Sequence, residues 1–382
     1  MIEAFRERYG SADKVQVYRA PGRVNLIGEH TDYNLGFVLP VALQLATHIA
    51  AAPSGDATLR IYSEQHREER EFRAATVPRL GPQHDWSDYV IGVARELTRL
   101  GFPIQGGNLL IRSTVPEGSG LSSSAALEVS AALALLHGRE IDRVELAKLC
   151  QRAERNFIGV PVGIMDQYIS VFGREHAAVE IDCRSLGHRL VPLPDGATFV
   201  AVNSMVKHEL AGSAYRDRVA ECAAAASALG VESLRDATIA GLETHAPRLP
   251  DVVARRALHI VTENERVHRF VESSTQGDLA AMGRLMVESH RSLQYDYEVS
   301  CAELDFLVDT ALRIDGVYGS RMTGGGFGGC TVTLLRPDAV PRFREEIAAA
   351  YQRDFHVTAA IYDCVPSEGA GEVKDFEAIP AA

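Results

Sequence analysis

The chain has 382 residues, 46% of them hydrophobic, and its 39 basic and 51 acidic side chains leave a net charge of −12. This suits a folded globular protein, softly favours two domains, and works against nucleic-acid binding, whose affinity rests on positive charge. The first ten residues, MIEAFRERYG, hold no apolar h-region, and no apolar run reaches the ~18 residues of a transmembrane helix, so no membrane partner and a cytoplasmic setting are expected.

Taken in chain order, alternating apolar residues predict strands over Val15–Tyr18, Val38–Leu43, Thr58–Tyr62 and Leu109–Thr114. Trp86–Leu100 carries a helical stripe of Val90, Val93, Ala94 and Leu97. Ser122–Leu136 is a second predicted helix, stopped by His137-Gly138. Asp142 followed by Glu145 reads as a capping box that opens a third, with Leu146, Leu149, Cys150, Ala153 and Phe157 on one face. The turn-rich stretch from Val191 to Gly196 is the candidate boundary between halves. Beyond it, Phe199–Val202 and Cys330–Leu335 read as strands. Ser213–Leu229, Asp251–Val271, Gly277–His290 and Cys301–Arg313 read as helices. None of the six cysteines has CxxC spacing, which points to reduced thiols and away from a zinc site.

Three segments carry chemistry. Pro116-Glu-Gly-Ser-Gly-Leu-Ser-Ser-Ser-Ala-Ala-Leu127 follows a strand and opens a helix. Its small residues let backbone approach a ligand, and the open N–H groups of the first turn, with the helix dipole, make a cradle suited to a triphosphate. The three serines add hydroxyls for phosphate or magnesium. No lysine follows the glycines, so this is not a GxxxxGK[ST] loop. The bland alternative is a small-residue helix start where two helices pack. Pro21-Gly-Arg-Val-Asn-Leu-Ile-Gly-Glu-His-Thr-Asp-Tyr33 sets Arg23, Glu29, His30 and Asp32 beside apolar Val24, Leu26 and Ile27. Planar polar side chains at that density suit a ligand with many hydroxyls, such as a sugar; the alternative is a solvated loop. Arg321-Met-Thr-Gly-Gly-Gly-Phe-Gly-Gly-Cys330 holds five glycines in six residues. The strand that follows argues for an anchored run rather than a flexible tether.

The order, wording and spacing of these segments resemble the GHMP kinases and, within them, the galactokinase family. The run Gly22–Tyr33, continued by Asn34-Leu-Gly-Phe-Val-Leu-Pro40, resembles that family's signature. Gly163-Ile-Met-Asp-Gln167, Met286-Val-Glu-Ser-His-Arg-Ser-Leu293, Asp296-Tyr-Glu-Val-Ser-Cys301 and Gly316-Val-Tyr-Gly-Ser-Arg-Met-Thr323 are similar too. The resemblance implies an α+β fold: a ribosomal-protein-S5-like half over 1–194, a ferredoxin-like half over 195–382, and the active site in the cleft between them. It implies ATP-dependent phosphorylation of the anomeric hydroxyl of D-galactose to α-D-galactose 1-phosphate, the first committed step of galactose catabolism. Mg²⁺ is the implied cofactor, and a monomer or weak oligomer the implied state. The alternatives are a related kinase acting on N-acetylgalactosamine, arabinose or galacturonate, or a non-catalytic sensor of galactose and ATP. The intact Leu121–Ala126 run, with Arg23 and Asp166 present, argues against the sensor.

Matching positions imply Glu29, His30, Asp32, Gly163 and Tyr215 at the sugar. They imply Gly118, Ser119, Gly120, Leu121, Ser122, Ser123 and Ser124 at the triphosphate, and Ser63 and Trp86 on the adenine side. Ser124 and Glu154 match the magnesium ligands, and Asp166 with Arg23 the catalytic pair at the anomeric hydroxyl. Ser119 stands where many relatives have glycine or alanine; it is small enough to leave the cradle intact. Glu154 sits beside the apolar stripe of its helix, so it is expected to be partly buried and to need a cation. An exposed pair with Arg152 or Arg155 is the alternative. Asp166 is expected to act as a base, with an orienting role or a helix-capping aspartate as alternatives. No function is assigned beyond about residue 340.

Overall fold

A computed structural model describes residues 1–11, 14–207, 211–245 and 249–374. The first half runs α1 (Ile2–Tyr9), β1 (Gln16–Asn25), β2 (Phe37–Val38), β3 (Pro40–Pro53), β4 (Thr58–Ser63), β5 (Glu68–Arg73), α2 (Ser87–Arg99), β6 (Gly107–Ser113) and α3 (Ser123–Leu136). Then come α4 (Arg143–Ala153), α5 (Met165–Phe172), β7 (Ala177–Asp182) and β8 (His188–Pro192). The remainder runs β9 (Thr198–Lys207), α6 (Ala211–Leu229), α7 (Ile239–His245), α8 (Asp251–Gln276), α9 (Leu279–Tyr295) and α10 (Ala302–Ala311). It ends with β10 (Val317–Thr323), β11 (Gly328–Leu335), α11 (Val340–Phe355), β12 (Ala360–Asp363) and β13 (Gly371–Val373).

A six-stranded sheet has the order β13-β1-β3-β6-β4-β5, a four-stranded sheet β10-β11-β9-β12, and a smaller sheet β2-β7-β8. Strand β3 is buried along most of its length because both of its faces are covered. Ile49 and Ala51 join the cluster under α2–α5, whereas Ala50 and Ala52 pack with Phe5 of α1. Asp142 caps α4 as expected, accepting from the Glu145 N–H at 2.9 Å, while the Glu145 carboxylate, the other half of the expected box, goes to Arg152 at 2.7 Å. Past α4 the helix widens into a π turn over Glu154–Ile158, a feature frequent at functional sites.

The predicted strand at Val15–Tyr18 extends to Asn25, so the sugar-type signature begins inside a sheet. A bulge between Pro21 and Arg23 shifts the register against β3 and re-aims the Arg23 side chain. Val24, Leu26 and Ile27 then share one buried cluster with Leu121, Phe270 of α8 and Val332 of β11. The two halves therefore close over a common apolar floor. Past residue 340, Phe343, Ile347 and Tyr351 of α11 pack on Val200 and Val202 of β9. The chain then returns to the first sheet, where β13 pairs with β1. All six cysteines are unpaired and only Cys301 is not buried. No helix among the described residues is long and apolar enough to cross a membrane.

Candidate active site

The loop between β6 and α3 stands on left-handed backbone at Gly118 (φ 66°), Gly120 (φ 80°) and Ser122 (φ 60°). No side chain caps α3, so the N–H groups of its first turn stay open at the positive end of the dipole. The glycine-rich segment lies on this loop backbone to backbone. A Cβ on Gly324 would sit 3.2 Å from the Gly120 carbonyl oxygen, and one on Gly329 3.2 Å from that of Ser119. This contact anchors the run 324–329, whose last two glycines already belong to β11.

A cavity of about 370 Å³ opens beside the loop, lined by Gly118, Ser123, Ser124, Ser63 and Trp86. Trp86 stacks on His66 with ring centroids 5.6 Å apart and planes 6° from parallel. Its indole Nε1 is buried with no hydrogen-bond partner among the described residues. Other side chains of the loop turn away. The Ser119 hydroxyl donates to the Pro116 carbonyl at 2.7 Å and accepts from the Leu121 N–H at 3.3 Å. The Leu121 side chain is in the core. The Ser122 hydroxyl donates to Asp166. So the expectation that all three serine hydroxyls face phosphate or magnesium is corrected for Ser122, and Ser119 and Leu121 offer the loop their backbone alone.

A second cavity, of about 200 Å³, gathers Arg23, Glu29, His30, Asp32, Gly163, Asp166 and Tyr215. Residues from β1, the turn after it, α5 and α6 thus meet in one place. Gly163 is required by its neighbour: a Cβ there would lie 1.7 Å from Asp32 Oδ2. Burial, then the nearby Asp166 charge, raises the Asp32 carboxyl to a pKa of about 6. His30 has left-handed backbone at φ 64°, the kind of strain that functional sites store. Burial takes its pKa down to about 3, so the imidazole is neutral. Tyr215 packs against His30 with centroids 5.6 Å apart; residues 208–210, which precede its helix, lie outside the described residues.

Glu29 borders the same cavity, but its carboxylate is already taken. It accepts from Asn25, from the Thr323 hydroxyl at 3.1 Å and from the Gly324 N–H at 2.7 Å, and it pairs with Arg321 at 2.8 Å. A carboxylate has about four lone-pair sites, so Glu29 mainly ties the signature to the glycine-rich segment.

Arg23 and Asp166 form a two-pronged pair: Nε to Oδ1 at 2.9 Å and Nη2 to Oδ2 at 2.8 Å. Arg23 also donates to the Gly120 carbonyl, linking Asp166 to the phosphate-type loop. The N-cap of α5 is Ile164, with no side-chain cap, so Asp166 is not the capping residue of its helix.

Glu154 is buried, as expected, and makes no ion pair among the described residues. Arg152 goes instead to Glu96 and Glu145. Burial first, then Asp166, raises the Glu154 carboxyl to about 7, against hydrogen bonds from Gln167 and Ser124. No group of three or more His, Cys, Asp or Glu with metal-site geometry exists among the described residues. The donors on offer are one serine oxygen and one uncompensated buried carboxylate. That set suits a hard divalent ion that completes its shell with phosphate oxygens and water.

Residues 3–53 match the galactokinase galactose-binding signature, 88–174 the GHMP kinases N terminal domain and 270–353 the GHMP kinases C terminal. The galactokinase of Roseiflexus sp. is 46% identical over 380 residues, 98% of this chain and 96% of that one. The galactokinase of Homo sapiens is 45% identical over 377 residues, covering 96% and 94%. The chain belongs to the galactokinase family. A Lactococcus lactis galactokinase solved in complex with galactose superposes with a TM-score of 0.93 at 35% identity, over 97% of this chain and 98% of that one. The fold implied by the resemblance, that of the GHMP kinases, is the fold found.

Sequence reading passed over several groups that shape this galactokinase-family site. The Gln167 amide donates to Glu154 at 2.7 Å and to Glu128 at 3.0 Å, so a second buried carboxyl stands behind the first. Glu128 was visible as the one charge in an apolar helix. Arg321, fully buried, stood in plain view inside the glycine-rich motif. Tyr297 and Cys222 stand behind His30 only because folding brings them there, whereas Tyr33, three residues after His30, lay inside the signature itself.

Proposed function

We propose that the chain transfers the γ-phosphoryl group of ATP to the anomeric hydroxyl of D-galactose, giving α-D-galactose 1-phosphate and ADP. The observation that carries this reading is Asp166, which lines the sugar-sized cavity while being held by Arg23 and Ser122 of the two neighbouring motifs. Galactose occupies that cavity, with Asp32, His30, Tyr215 and the edge of Glu29 on its hydroxyls. ATP lies with its adenine side at Trp86 and Ser63 and its triphosphate on residues 118–124. The halves divide near residue 194, and β13 adds a last strand back to the first. Unpaired cysteines suit a reducing cytoplasm.

Asp166 accepts the proton of the anomeric hydroxyl as that oxygen forms its bond to the γ-phosphorus and ADP departs. Arg23 holds Asp166 through two N–H bonds and faces the charge of the transferring group. Phosphoryl transfer has a loose transition state, so positioning and charge placement supply most of the catalysis. Ser124 and Glu154 would hold Mg²⁺, which supplies compensation for the negative charge of the phosphates.

Galactose should exceed glucose, its fourth-carbon epimer, by roughly a thousandfold in kcat/KM, because Asp32 is left badly paired when a hydroxyl is misplaced. A coupled ADP-release assay across several sugars reads this; comparable values for the two would sink the assignment. Glu154→Ala should stay folded and raise the magnesium concentration needed for half-maximal rate. Normal activity at limiting magnesium would remove Glu154 from the metal site. Galactose affinity without ATP should fall as pH drops from 7 to 5. Asp32 gains its proton through about 6 and then loses an acceptor oxygen. A calorimetric Kd that is flat over this range would mean that Asp32 binds the sugar as a neutral acid.

A further inference from the structure

Behind the sugar-side cavity a line of hydrogen-bonding groups runs into the protein. His30 Nδ1 lies 2.9 Å from the Tyr33 hydroxyl, which lies 2.7 Å from the Tyr297 hydroxyl, which lies 3.0 Å from Cys222 Sγ. Tyr297 and Cys222 are buried, so the line runs into the fold, where the Asn34 side chain also reaches the sulfur. At its other end His30 Nε2 makes no hydrogen bond of full geometry among the described residues; the ring lines the cavity and lies against the Gly325 backbone, which lines it too. The imidazole is neutral, so one ring nitrogen carries a proton and the other a lone pair.

Each hydroxyl has one proton, so the line can run in only two directions. In one, the thiol donates to Tyr297, Tyr297 to Tyr33, and Tyr33 to Nδ1. In the other, Nδ1–H donates to Tyr33 and the line ends on sulfur. Sulfur is a weak acceptor, whereas an imidazole nitrogen is a good one and a phenol is a better acid than a neutral imidazole N–H. Burial keeps both phenols protonated and raises the Cys222 thiol to about 11, so all three donors hold their protons. The first direction is therefore favoured.

We propose that Tyr33, backed by Tyr297 and Cys222, is a positioning residue that fixes His30 as its Nε2–H tautomer, so that His30 meets the sugar as a hydrogen-bond donor. The inference deepens the galactose-site reading and rests on it. It gives the site opposite polarities side by side: His30 donates where ionised Asp32 accepts. A sugar hydroxyl is then recognised by which way its O–H bond points as well as by where its oxygen lies.

Nitrogen-15 NMR of histidine-labelled protein tests this, with the His30 signals assigned by their loss in His30→Gln. The wild-type ring without sugar should show a protonated Nε2 and an unprotonated Nδ1. A proton on Nδ1 would overturn the proposal, and this readout needs no destabilising variant. Tyr33→Phe should mix the two tautomers and weaken galactose binding about tenfold while kcat stays within about twofold. An unchanged tautomer, or equal losses in kcat and binding, would reduce Tyr33 to a packing role and end the proposal. Adding galactose should shift the His30 Nε2 signal. Failure of that shift, with the tautomer as stated, would count against the sugar-site reading and leave the tautomer assignment standing.

Discussion

Asp166→Asn should lower kcat on the order of a hundredfold to ten-thousandfold while galactose binding is largely kept. The carboxylate already accepts two N–H bonds from Arg23 and one O–H bond from Ser122. An amide of the same shape can keep part of this network, but it cannot take a proton. If Asp166 instead mainly orients the sugar and balances Arg23, the same change should weaken galactose binding and lower kcat only modestly. The base role is the one expected, because Asp166 reaches the cavity next to the loop where the γ-phosphate would lie. A third role, capping α5, is excluded by geometry, since the N-cap is Ile164. Measuring kcat and galactose Kd on Asp166→Asn, with a melting curve as control, separates the two surviving roles. A variant with normal kcat would remove Asp166 from the chemistry.

Arg321→Met should destabilise the protein by about 3–5 kcal/mol, the usual cost of breaking a buried ion pair from one side. Arg321 is fully buried, pairs with Glu29 at 2.8 Å and lies 4.0 Å from Glu263. It also donates to the Asn25 and Leu26 carbonyls, each at 3.3 Å. Burial already pushes the Glu29 carboxyl above its ordinary range, and Arg321 is the main force holding it down. Without Arg321 the folded state binds the Glu29 proton more tightly than the unfolded chain does. Such a group stabilises below its unfolded pKa and loses that contribution as pH rises. The deficit of the variant should therefore be smaller at pH 5 than at pH 8. Urea midpoints at both values check the size and the sign. Adding Glu29→Gln should recover part of the loss, because the stranded charge goes with it. A cost below about 1 kcal/mol at pH 8 would mean that this network does not hold the signature to the glycine-rich segment.

The motifs were legible because their chemistry is local. Left-handed turns at Gly118 and Gly120, a small-residue helix start and a dense polar turn leave their mark in neighbouring residues. The same holds for Asp142 and Glu145 at the start of α4. Gly163 was readable by its motif, but its reason was not: it is a glycine because Asp32, from a distant segment, fills the space its Cβ would need. Elements past residue 340 were missed because α11 carries an ordinary amphipathic pattern and β13 is only three residues long. Their place depends on Val200 and Val202 for one and on β1 for the other.

By itself, then, the sequence determined which side chains are present for phosphoryl transfer, because the family's motifs are short runs whose residues act together wherever the chain goes. Tertiary structure alone decided what each of those side chains is free to do. Ser122 meets an acceptor 44 positions away, Glu29 meets a donor 295 positions away, and Tyr33 meets Tyr297 across 264. A polar group's role depends on which of its lone pairs and protons are already taken, and partners that far along the chain are chosen by packing, not by neighbouring sequence.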